Sequence, residues 1–151
     1  MNSTVKDILK TVADLSDTPV GAYNIRVNGE TESRKSTSNI EIKSREDGNG
    51  INIYVKPGTK GEFVHIPVVV DSSGHSELVY NAFYIGNDRD VQIVAGCGIH
   101  NDGLHLSQHD GIPTFYLDDN AQVKYAEKNY GEGQGTGERV LNPVTVIHLK
   151  S

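Results

Sequence analysis

The chain has 151 residues and a mass of 16.4 kDa, enough for one domain with a real core, and its 36% hydrophobic fraction, 16 glycines and absent tryptophan favour turn-rich β-structure over a helical bundle. A formal net charge of -6 and a pI of about 5.4 leave no basic stripe to neutralise phosphates, which argues against a nucleic-acid partner. A single cysteine cannot close an internal disulfide, no apolar run approaches a membrane span and the N-terminus lacks a signal-peptide pattern, so the sequence reads as soluble and cytoplasmic.

Residues 3–15 carry the one helical pattern. Val5, Ile8, Leu9, Val12 and Leu15 follow the spacing that places apolar side chains on one face, Ser3 or Thr4 is the expected cap, and Pro19 stops continuation. After Gly21 the period changes to two: Tyr23, Ile25 and Val27 alternate with Asn24, Arg26 and Asn28, and Asn28-Gly29 predicts a tight type I′ turn. Residues 31–39 are polar, a loop or weak edge strand. Ile40 and Ile42 predict a short strand, residues 45–50 a turn, and Ile51, Ile53 and Val55 a further strand. The glycine-rich run 131–137 lacks the Lys-Ser/Thr ending of a phosphate loop and reads as a surface loop, while Asp118 and Asp119 read as solvated turn acids.

The strand-like runs repeat. Those starting at Val55, Ile85 and Leu117 share one order: an apolar strand end, several polar or small residues, then an alternating strand. A spacing near 30 residues with a half-period near 15 predicts coils of a β-solenoid that bury their apolar faces only by stacking. A β-sandwich or jelly roll is the competing architecture. The expected core comprises Ile51, Ile53, Val91, Ile93, Val123 and Tyr125, with Val55, Ile85 and Leu117 at equivalent positions.

Residues 93–112 hold the only cysteine and three of the six histidines. Here the sequence predicts a strand from Asp90 to Ala95, a kink at Gly96-Cys97-Gly98, a turn at Asn101-Asp102-Gly103, a short strand over 104–107 and another turn at Asp110-Gly111. His100, His105 and His109 are candidate metal ligands, but their spacing matches no established zinc pattern and no Glu stands close in sequence to complete a set. Cys97 has two readings: an inert small hydrophobe at a strand end, or a thiol whose glycine neighbours leave it approachable and whose pKa a nearby imidazolium lowers.

The run from Asp90 to Gly131, with Gly96-Cys97, Leu104-His105, the strand 114–117 and Asn120-Ala121-Gln122-Val123-Lys124-Tyr125 in that order, resembles the SufB/SufD family of iron–sulfur cluster assembly proteins. Residues 51–70 look like the family's strand, Pro-x-Gly, strand lead into its core, and the similarity covers roughly residues 51–149. The resemblance implies a right-handed parallel β-helix, assigned to residues 21–151, and residues 1–20 form the N-terminal helical segment that the apolar spacing predicts. It implies a scaffold, not an enzyme, on which a transient iron–sulfur cluster is assembled with a SufC-type ATPase and a SufB/SufD-type partner. Cys97 matches the cysteine that receives sulfur from a cysteine desulfurase or sulfur carrier. The family's C-terminal helical region and later coils have no counterpart here, which predicts an open solenoid edge and a homo-oligomer joined through terminal strands.

Cys97 is therefore expected to be a sulfur-handling thiol, Gly96 and Gly98 making room for a persulfide and His100 or His105 supplying an imidazole within about 4–6 Å, with the three histidines not forming a preformed site. Two other functions compete: a small metal-dependent β-fold enzyme using His100, His105 and His109, and a β-helix binding module for carbohydrate or a protein partner.

Overall fold

The computed structural model describes residues 2–13, 20–133, 137, 139–143 and 146–149. One helix, α1 (Ser3–Ala13), precedes eleven strands: β1 (Ala22–Val27), β2 (Glu30–Lys35), β3 (Ile40–Ser44), β4 (Gly50–Val55), β5 (Glu62–Val70), β6 (Ser76–Ile85), β7 (Asp90–His100), β8 (Ser107–Leu117), β9 (Gln122–Glu132), β10 (Arg139–Pro143) and β11 (Val146–Leu149). They form two mixed sheets. The first runs β2-β1-β5-β7-β9, and the second runs β10-β8-β6-β4-β3 with β11 also pairing β8.

The hairpins β1–β2 and β3–β4 are antiparallel and every other pairing is parallel. From β4 to β9 successive strands alternate between the sheets. Ile53 pairs Phe83, which pairs Phe115; in the other sheet Val64 pairs Ile93, which pairs Tyr125. Val55, Ile85 and Leu117 stand in one row across β4, β6 and β8, as the repeat predicts.

The inner faces of the two sheets share one core. Ile51, Ile53, Val91 and Ile93 are buried in it, and Val123 and Tyr125 pack half-buried against it. Phe83 stacks on Phe115 at 4.8 Å, and Tyr125 reaches across from the other sheet to meet Phe115 edge-on at 5.2 Å. Side chains of Val, Ile and Phe size contribute about 1.5–3 kcal/mol each when fully buried, so these rows dominate the stability.

α1 covers the outer face of the first sheet. Val5, Ile8 and Leu9 bury against Ile25 and Val69, with Tyr23, Val27 and Val94 partly buried around them. Its cap is Asn2, not Ser3 or Thr4: Asn2 Oδ1 accepts from the Val5 N–H at 2.8 Å and the Asn2 carbonyl from Lys6 N–H at 3.1 Å. The Val12 side chain, Leu15 and Pro19 lie outside the described residues. The β1 alternation acquires a meaning the sequence did not supply: its apolar row faces the helix, and its polar residues Asn24 and Arg26 point between the sheets.

Asn28 and Gly29 take positive φ values of 49° and 85°, as a type I′ hairpin turn requires, and β2 is a short, charged edge strand. Several predicted breaks are absent. β7 passes through Gly96-Cys97-Gly98 and β8 through Asp110-Gly111 without interruption, because ladders on both sides hold the backbone extended. Residues 104–106 belong to a loop, and β8 begins at Ser107. β9 extends through Gly131 and Glu132 into the predicted glycine-rich loop, of which residues 134–136 lie outside the described residues; Gly137 N–H donates to the Gly103 carbonyl at 3.1 Å. Asp118 and Asp119 do lie in the β8–β9 turn.

Candidate functional site

Cys97 sits in the middle of β7, between Val68 of β5 and Asn129 of β9. Its side chain is 3% exposed and packs with Val68, Val70 and Ile99. Its N–H donates to Asn129 Oδ1 at 3.1 Å. Burial pushes the thiol well above its ordinary pKa, and the negative charges of Glu77 and Glu127 push it the same way. The electrostatics are thus opposite in sign to those expected of an imidazole-activated thiol.

The three histidines occupy three separate settings. His100, at the end of β7, meets Glu132 Oε1 through Nδ1 at 3.0 Å and Asp102 through Nε2. The Asp102 hydrogen bond raises its pKa, Glu132 adds to the rise, and partial desolvation opposes it. His105 lies in the β7–β8 loop with its ring exposed. Its main chain does the work there: the carbonyl accepts from Ser73 Oγ at 3.1 Å and Asn101 Nδ2 at 2.7 Å. His109 alone is buried, 8% exposed in β8. Among the described residues no group of three His, Cys, Asp or Glu side chains is arranged to hold a metal ion.

The buried partner of His109 is Glu77 on β6, directly opposite it in the parallel register. Glu77 Oε1 accepts from His109 Nδ1 at 2.7 Å, while Oε2 lies 3.2 Å from both Arg26 Nε and His75 Nε2. The Glu77 side chain is only 6% exposed and that of Arg26 12%. Burial alone would raise the Glu77 carboxyl; the hydrogen bond and charge of His109, then Arg26 and His75, outweigh it and hold the carboxyl at about 2. Glu127 on β9 adds a second carboxyl, raised by burial, against which the Tyr125 phenol lies, itself raised by burial and by that neighbouring charge.

This cluster fixes the chemistry available. An ionised Glu77 orients His109 through Nδ1, leaving Nε2 beside Gly111, where an added Cβ would stand 3.1 Å away. Cys97 is a protonated thiol in a field of two carboxylates. Sequence reading found His109 and Cys97 but missed Glu77, Arg26 and His75. The available signal was parity: Glu77 shares a strand face with buried Val79, so a carboxylate was due to point inward and needed cations to accompany it.

No protein-family model, no curated protein and no solved structure matches this chain.

Proposed function

We propose that the chain is a scaffold component of iron–sulfur cluster assembly of the SufB/SufD kind, non-enzymatic and built as a right-handed parallel β-helix. The observation that carries this reading is the register: alternating strands of two sheets stack equivalent residues in rows such as Val55-Ile85-Leu117, as the resemblance in residues 51–149 leads one to expect. Its cargo is a transient iron–sulfur cluster, its partners a SufC-type ATPase, a SufB/SufD-type subunit and a cysteine desulfurase or sulfur carrier, and its compartment the cytoplasm. Among the described residues no helix is long and apolar enough to cross a membrane.

In this proposal Cys97 accepts sulfur only after a partner opens its surroundings, because a thiolate is the nucleophile and the resting thiol is buried among carboxylates. The deciding experiment co-expresses the chain with a SufC-type ATPase and reconstitutes the purified product anaerobically with iron and sulfide. Stable co-purification together with cluster absorbance supports the scaffold; neither complex nor cluster defeats it. The separate settings of His100, His105 and His109 give no support to a metal-dependent enzyme using all three.

A further inference from the structure

A groove on the outer face of the second sheet is walled by an aromatic ladder. Tyr54, Tyr84 and Tyr116 occupy one register row across β4, β6 and β8. Their rings stack at 5.0 and 4.9 Å with interplanar angles of 9° and 3°, yet each residue remains between 37% and 41% exposed. Stacking occupies the ring faces and leaves an ordered wall of ring edges. The groove is open to solvent and offers about 300 Å³.

Two opposite charges stand at its turn end, Arg89 and Asp118. The Arg89 guanidinium approaches the chain at Gly86 by its Nη1 end, where a Cβ would fall 1.4 Å from Nη1, so glycine is what admits it. Arg89 Nε is buried with no hydrogen-bond partner. Neither side chain forms an ion pair with the other or with any described residue, although both line the same groove. A simple anion drawn to Arg89 meets the Asp118 carboxylate, and a simple cation drawn to Asp118 meets the guanidinium. A molecule carrying both charges satisfies both, with charge-assisted hydrogen bonds at each end.

We propose that the groove between the Tyr54-Tyr84-Tyr116 ladder and the Arg89/Asp118 pair binds a small zwitterion of the α-amino-acid class. The ligand's carboxylate meets Arg89, its ammonium meets Asp118, and its side chain lies along the tyrosine wall. This site is independent of cluster assembly and of Cys97.

The test follows tyrosine ring resonances of the whole chain by NMR during titration with L-leucine, 4-methylpentanoate (no ammonium) and isopentylamine (no carboxylate). Saturable shifts with leucine, and binding at least about tenfold weaker for each half-molecule, are expected from loss of one charge-assisted contact. Arg89→Gln and Asp118→Asn should each weaken leucine by a similar factor, and Gly86→Ala, which displaces the guanidinium, should mimic Arg89→Gln. If Arg89→Gln fails to fold, the substitution Asp118→Asn, at a partly exposed position beside the β8–β9 turn, carries the comparison. Absence of saturation, a half-molecule that binds as tightly as leucine, or folded variants with unchanged affinity would each overturn the proposal.

Discussion

At Glu77 one carboxylate serves three basic side chains, and its removal from water is tolerated only because all of them converge on it. Glu77→Gln leaves Arg26 buried without its counter-charge, and a loss of about 3 kcal/mol is expected in urea unfolding. The pH dependence has a definite sign. The folded carboxyl lies at about 2, below its ordinary 4.5, so its contribution is fully present above pH 4.5 and is lost as pH falls from there towards 2. A shift of that size corresponds to at most about 3 kcal/mol, and the Gln variant should show a flatter acid limb. Cys97 makes a second residue-level case: an alkylating reagent should label it slowly at neutral pH in the folded chain and completely in denaturant, and rapid native labelling would contradict its burial. The sequence displayed His109 and Cys97 because both are rare residue types. Strand parity marks Glu77 as inward-facing, but which side chains it meets was not legible, since Arg26 comes 51 residues before Glu77 and Glu77 32 before His109, and only strand pairing brings them together.

The elements show where local reading succeeds. Period-two patterns located β1, β3 and β4, and the near-30-residue repeat anticipated which strands share a sheet. What failed was punctuation. Gly96-Cys97-Gly98 and Asp110-Gly111 are turn-forming in isolation, but within β7 and β8 neighbouring strands on both sides supply the hydrogen bonds, and tertiary pairing overrides the local preference. The inward polar row of β1 was also hidden, because a strand covered by a helix on one face and a sheet on the other gives no sign of which face is which. A glycine of another kind matters at the start of β4. Gly50 has φ 142°, and a Cβ there would lie 1.8 Å from the Tyr80 carbonyl oxygen. Gly50→Ala should cost about 1–3 kcal/mol from backbone strain alone, with the collision adding to it, and chemical denaturation measures the total.

Across the whole molecule, among the described residues, the first sheet ends at β2 on one side and β9 on the other. β2 is six residues long and charged, which discourages pairing, whereas β9 is eleven residues long with one described neighbour, β7. The expected homo-oligomer should therefore form through β9. Light scattering at high micromolar concentration should report more than one copy, and a proline placed at Ala126 should reduce the mass to that of a monomer. The same stacking carries a consequence for the order in which the chain acquires its shape. The parallel partners from β4 to β9 lie between 29 and 32 positions apart, as with Val64 and Ile93 or Phe83 and Phe115. Loop-closure entropy is then nearly equal at every step, and no step waits for a distant terminus. During synthesis each newly emerged strand can settle on one already in place, so the tyrosine wall can be complete before residue 122 has left the ribosome.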